Sequence, residues 1–416
     1  MRRLIDIKLK NISFSLLIIF FLDSVLHIGR HLTSSGNDFL RLPLLIILFF
    51  TCISFLQRNK AFFMSYYTQC ILLLVLLLFI SYVKAVLLNQ NIELANDFLL
   101  PFIYFSFFPI FVYSIQTEED LFVLVRIIII TGTVISIGML ILVISSVVNL
   151  KVYNMVSDFM EFFELGYALG GAEGVIRFLP KGVAVQIMAY FFSFYYILRA
   201  YRKYLLLILI NGFAVFLTFT RGLWLGLFVG TLFLLIKYKT SGFSRNHQVT
   251  KIIYLGIILV ILTIFGVIFL NPDIFTFAFA RISGESYTSS SDDLRKVMTR
   301  MLNELISEHI AWGGGAGIHI NLRDGRVEMT YHDVISKIGM IGLVILLMPF
   351  IAMFNDNKGD KNNFKLIQIC MLSSLVSILV ATYTNPYFIT SFGVFLYCLC
   401  MRVYSYRRFP FNKKTM

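Results

Sequence analysis

The chain has 416 residues, 58% hydrophobic and 14% charged, with a mean hydropathy of +0.82, whereas soluble domains run at roughly 45–50% apolar and 25% charged. A soluble enzyme is therefore excluded, and so is a β-barrel, because the apolar runs are continuous rather than alternating. The net charge of +13 would suggest nucleic acid in a soluble protein; here it must first be divided between the two sides of a membrane.

Apolar runs bounded by charged or turn residues predict spans at 13–29, 42–57, 66–88, 98–116, 121–149, 183–198, 204–219, 222–236, 252–271, 332–354, 366–383 and 388–401. This is an all-α polytopic membrane protein of about 12 transmembrane helices, at about 20 residues per crossing, forming one membrane domain over 1–416. Asp23 interrupts the first run and no small-residue cleavage site follows, so it does not read as a signal peptide. The five Cys lie in apolar runs without CxxC or metal spacing and read as small apolar residues.

Orientation follows from the basic residues. With both termini cytoplasmic, the inner segments hold the surplus of Lys and Arg, including Arg199, Arg202, Lys203, Lys237 and Lys239, and the outer segments are slightly acidic. The positive charge thus belongs to topology, and no nucleic-acid partner is implied. Two outer segments are long, 150–182 and 272–331, while the central inner connection is only Arg199–Lys203. No internal repeat is visible. Spans of this number, with Asp23, Lys84 and Arg126 at membrane level, leave a transporter or flippase as a reading of another class.

Within 272–331, Ser291-Asp292-Asp293 reads as an N-cap with two acids in the first turn, opening an amphipathic helix over 292–310. Its stripe is Leu294, Val297, Met298, Met301, Leu302, Leu305 and Ile306. Arg295 falls on the stripe's edge and Arg300 on nearly the opposite side; the alternative for Arg295 is a snorkelling surface arginine. The run Gly313-Gly314-Gly315-Ala316-Gly317 follows. It is not a Walker loop, and it reads as a hinge or as exposed amides for an anion, the hinge being favoured.

Tyr331-His332-Asp333 stands at the mouth of the tenth span, where Asp333 and Lys337 at i and i+4 can neutralise each other. Gly339 and Gly342 would let a neighbouring helix approach closely. Six scattered His without paired spacing make no metal site. Arg221 sits in Thr220-Arg221-Gly222 between two apolar runs, at a tight outer turn, and is a functional-site candidate. Arg177 and Lys181, just before the sixth span, put two more cations at that level. Selected arginines beside an acidic outer face suggest a local anion site, and guanidinium forks suit a pyrophosphate.

Together, Thr220-Arg221-Gly222-Leu223-Trp224, Ser291-Asp292-Asp293-Leu294-Arg295, the glycine run, and His332-Asp333 leading into Gly339-Met340-Ile341-Gly342 resemble the O-antigen polymerase and O-antigen ligase superfamily of bacterial inner-membrane glycan enzymes. The likeness covers about 220–345. Gly339 follows His332 about one helical turn sooner than is usual there. The resemblance implies a class C glycosyltransferase-like bundle with one large helical periplasmic loop. It also implies an undecaprenyl-pyrophosphate-linked oligosaccharide at the periplasmic face, and neither cofactor nor metal. Arg221 and Arg295 would stabilise the pyrophosphate and His332 would act as base; Glu328 would orient the imidazole, with Arg177, Lys181 and Arg300 binding substrate. A flippase and a chain-length regulator would be partner proteins, besides membrane lipids. Polymerase is the leading expectation, ligase the runner-up.

Overall fold

A computed structural model describes residues 2–26, 62, 64–148, 151, 153–155, 157–158, 166–170, 176–180, 182–199, 201–241, 289–320, 327, 329–355, 363–383 and 387–405. The predicted spans 42–57 and 252–271 lie outside these residues. The described helices are α1 (Arg2–Leu26), α2 (Tyr66–Leu87), α3 (Ile92–Ile103), α4 (Phe108–Ser114), α5 (Glu118–Val148), α6 (Val183–Leu198), α7 (Tyr204–Phe216), α8 (Arg221–Thr240), α9 (Ser289–Glu308), α10 (Thr330–Asn355), α11 (Asn363–Ala381) and α12 (Ser391–Tyr404). Five of them, α2, α5, α8, α10 and α11, are long and apolar enough to cross a membrane. The chain is a helical, multi-pass membrane protein.

One expectation is corrected. The predicted span 98–116 is broken: α3 contains Pro101, a 3-10 turn occupies Tyr104–Phe107, and α4 begins immediately before Pro109. Proline removes one amide from the helical ladder and crowds the preceding turn, which favours a break here. The all-α architecture holds, with one short hairpin in a connection among the described residues. Between α5 and α6, β1 (Gly166–Gly170) pairs antiparallel with β2 (Ile176–Pro180), Leu169 opposite Arg177, and β2 packs on α5.

Every residue of α6 is buried, as befits a helix apolar on all sides at the centre of a bundle. Around it, glycines set the close approaches. A Cβ at Gly132 of α5 would sit 2.6 Å from that of Ala189. One at Gly230 of α8 would lie 2.7 Å from the Phe191 ring and 2.8 Å from the Ser373 carbonyl of α11. Where helices pack without a hydrophobic driving force, small residues of this kind supply the contact.

The contacts sort the helix ends. Tyr66 Oη donates to the Met348 carbonyl (3.4 Å) and Ser81 Oγ to that of Lys337 (2.9 Å), so α2 and α10 are antiparallel. Gly226 faces Ala381, and Gly230 faces Ser373, so α8 and α11 are antiparallel too. One end of the bundle therefore gathers the start of α8, the start of α10, the end of α11 and the end of α2. The opposite end gathers Arg126, Arg199, Arg202, Lys203 and Lys237.

Candidate active site

Arg221 opens α8 directly after a turn fixed from several sides. Thr218 Oγ1 donates to the Val215 carbonyl (2.8 Å), and Phe219 takes a φ of +50°, rare for a residue with a side chain. Trp224 Nε1 donates to the Phe216 carbonyl (2.8 Å) while its ring stacks on Phe216 at 4.8 Å. The tight turn expected between the two apolar runs is thus real, and Trp224 holds it. Arg221 is half-buried.

His332 lies in the first turn of α10. Its neighbour Tyr331 donates to the Leu379 carbonyl (2.6 Å), satisfying a carbonyl in the last turn of α11. The His332 ring meets Tyr383 edge-on, 6.5 Å between centroids. Its Nδ1 and the hydroxyl of Thr330 are buried without a hydrogen-bond partner among the described residues. An unpaired buried polar atom is uncommon and costs free energy, and a hydrogen-bonding group brought to it would relieve that cost. Asp333 is engaged elsewhere: Lys337 Nζ sits 2.9 Å from Oδ1 and 4.5 Å above the Phe98 ring. That is the pairing expected from the i, i+4 spacing.

Helix α9 runs over Ser289–Glu308, not 292–310. Ser291 lies within it rather than capping it. It ends early because residues 309–317 have another task. Gly339, with φ +76° and ψ 176°, breaks α10. In an unbroken helix the amides of Met340 and Ile341 would bond to Ser336 and Lys337. Instead they donate to the carbonyls of Ile310 (2.8 Å) and Ala311 (3.3 Å), while Ser336 and Lys337 accept from Gly314 (2.7 Å) and Gly315 (3.3 Å). Two helical bonds are exchanged for four to an inserted segment.

Helix α2 and the turn after it cover that segment: Lys84 Nζ donates to the Gly313 carbonyl and Gln90 Nε2 to that of Gly314, both at 2.7 Å. The backbone approach is so close that a Cβ at Gly313 or Gly339 would collide with the opposing main chain. Residues 313–317 are buried. The run is therefore neither a hinge nor a set of open amides, and Gly339 admits a segment rather than a helix.

The α9 stripe is divided. Met298 and Leu302 pack on Ile320, with Met301, Leu305 and Val327 around them, whereas Leu294 and Val297 are exposed. Helix α9 is tied to the start of α10, because the Thr299 hydroxyl lies 2.6 Å from the Arg295 carbonyl and 3.1 Å from Met329 Sδ. Arg295, half-buried, thus belongs to the second turn of a helix attached three residues before His332.

Arg221 and His332 accordingly sit on elements that flank the last turns of α11, and Arg295 on a helix tied to the start of α10, all at one end of the bundle. Arg300 is exposed. Arg177 lies on β2 at the connection entering this end of α6, only its backbone being described; Lys181 and Glu328 lie outside the described residues. Tyr383, and the bond that Tyr331 makes, escaped the sequence reading, since nothing in the local pattern says that α11 ends where α10 begins. No cluster of three His, Cys, Asp or Glu suited to a metal occurs among the described residues.

No curated protein and no solved structure matches the chain. A family model described as O-antigen ligase matches residues 205–335, a stretch that includes Arg221, Arg295, Arg300, Glu328 and His332 and stops short of Arg177 and Lys181. Over those residues the chain is similar to the O-antigen ligase family.

Proposed function

We propose that the chain is a glycosyltransferase of the bacterial inner membrane, with both termini cytoplasmic and its site at the periplasmic face. It polymerises undecaprenyl-pyrophosphate-linked oligosaccharide repeat units. The observation that carries the reading is that the starts of α8 and α10 flank the end of α11, with the Arg295 helix tied to the start of α10, beside a buried imidazole nitrogen without a partner among the described residues. Support for the orientation comes from the basic residues of the opposite end, which fit a cytoplasmic boundary.

In this reading His332 removes the proton from an acceptor sugar hydroxyl. The oxygen forms its bond to the donor's anomeric carbon as the bond from that carbon to the pyrophosphate oxygen breaks. The leaving lipid pyrophosphate takes the electron pair, and the anomeric centre inverts. Charge grows on the pyrophosphate, and Arg221 and Arg295 supply fixed positive charge there. Amides at the start of α8 add to it. Arg177 and Lys181 contribute cations at the same level; Glu328 orients the imidazole; Arg300, directed outward, meets the glycan rather than the pyrophosphate. The acceptor and donor come from a flippase, and a chain-length regulator sets the polymer's end.

The test is surface-glycan chain length in cells carrying Arg221→Ala, Arg295→Ala or His332→Ala. Shortened or absent polymer from normally expressed protein is expected, and unchanged polymer rejects the reading. The family description favours a second reading, transfer of finished polymer to lipid A-core. A knockout separates them: loss of a polymerase leaves a single repeat on the core, loss of a ligase leaves bare core.

A further inference from the structure

The end of the bundle away from His332 holds a second concentration of charge that this chemistry does not use. Arg126 lies eight residues into α5, about 12 Å along the helix from Glu118 at 1.5 Å per residue. It stands on a face with Val123, Ile130, Val134 and Ile137, all exposed, which is where a membrane helix meets lipid. Arg199, Arg202 and Lys203 occupy the turn between α6 and α7 beside it. Among the described residues none of these four cations has a carboxylate partner; the nearby acid Asp120 is paired with Lys10.

Tyrosines organise them instead. Arg126 Nε donates to Tyr196 Oη (3.3 Å), which uses one of its five donors. Tyr196 stacks on Tyr204 at 4.2 Å and 9°, and Lys203 Nζ lies 5.8 Å from the Tyr204 ring. Arg199 Nη1 donates to Tyr195 Oη (3.0 Å). Between α5 and α7 a cavity of about 340 Å³ opens, lined by Arg126, Lys203 and Tyr204 at one side and by Ile129, Ile130 and Leu207 at the other. Cations and phenols lie toward the bundle's end, and aliphatic carbons one turn deeper.

We propose that this cavity binds an anionic glycerophospholipid, its phosphodiester between Arg126 and Lys203 and an acyl chain along Ile129, Ile130 and Leu207. An arginine at membrane depth without a carboxylate needs an anion or water to solvate it, and basic pockets between membrane helices are suited to lipid headgroups. A free phosphate would share the cationic half of the site. It has nothing to place against the aliphatic half, and this decides for the lipid.

The test is titration of the full-length protein in mild detergent with dioleoyl-phosphatidylglycerol, with bound lipid counted by native mass spectrometry. Arg126→Gln together with Lys203→Gln is expected to weaken binding about thirty-fold. Phosphatidylcholine of the same chain length should bind weakly and equally to both proteins. Ile130→Trp, at an exposed position, fills the aliphatic half without altering charge and should also reduce phosphatidylglycerol binding, so the outcome survives if the double variant misfolds. Lys239→Gln, at the same end but off the cavity, should leave it unchanged. Unaltered affinity in a well-folded double variant, equal binding of phosphatidylcholine, or displacement of the lipid by millimolar inorganic phosphate each overturn the proposal.

Discussion

At the end where α10 begins, charge is closed off inside protein: Lys337 is buried against Asp333 and Phe98, Lys84 is spent on a glycine carbonyl, and the turn before Arg221 is fixed by Trp224. At the opposite end the cations lean on tyrosine rings and face outward, and Arg126 is exposed. The first arrangement fixes positions and tolerates little change. The second tolerates much and leaves donors available to the surroundings. Positive charge at the two ends of one membrane bundle is thus organised by different physics, burial at one and interfacial solvation at the other.

The sharpest way to break the contrast is Gly339→Val. The residue would have to hold φ +76° with its Cβ against the Ala311 carbonyl, a combination costing at least about 3 kcal/mol. Loss of monodisperse protein on size-exclusion in detergent is the expected result. His332→Ala should leave folding intact and reduce glycan transfer by about 10²–10⁴-fold, the range of a lost general base, read as transfer rate with purified protein and lipid-linked repeat. Lys337→Met strands a buried carboxylate and should cost about 3–5 kcal/mol, most of it recovered when Asp333→Asn is added; thermal unfolding checks both. Lys237, at the far end, sits 4.6 Å over the Phe354 ring and donates to the Phe354 carbonyl. Lys237→Met should cost only about 1 kcal/mol by the same measurement. The smallest effect on stability belongs to Arg300→Ala, exposed on α9, expected within about 0.5 kcal/mol, with any kinetic change in KM for the glycan and not in kcat.

Much of this was legible in the sequence wherever the information is local. The span 183–198 coincides with α6, Asp333 and Lys337 pair as their spacing requires, and the anomaly at Arg221 marks a true tight turn. The misreadings share one cause. The glycine run reads as a hinge because its partners, Ser336 and Lys337 on α10 and Ser81 and Lys84 on α2, are remote in the chain, and a hydrogen-bond exchange leaves no periodicity behind. Likewise Leu294 and Val297 obey the helical stripe yet stay exposed, since the packing partner of α9 is a narrow ridge at Ile320. Tyr383 enters the site only because α11 stops where α10 starts.

The four-bond exchange at Gly339 reaches beyond its own neighbourhood. Irregular main chain at membrane depth survives only under a protein cover, and the cover here, Ser81, Lys84 and Gln90, comes from well upstream of residues 205–335. That stretch is therefore not a transplantable cassette. A truncated version starting at residue 205 would leave the carbonyls of Lys337, Gly313 and Gly314 without these donors, so the front half of the polypeptide completes the fold of the portion that bears the signature residues.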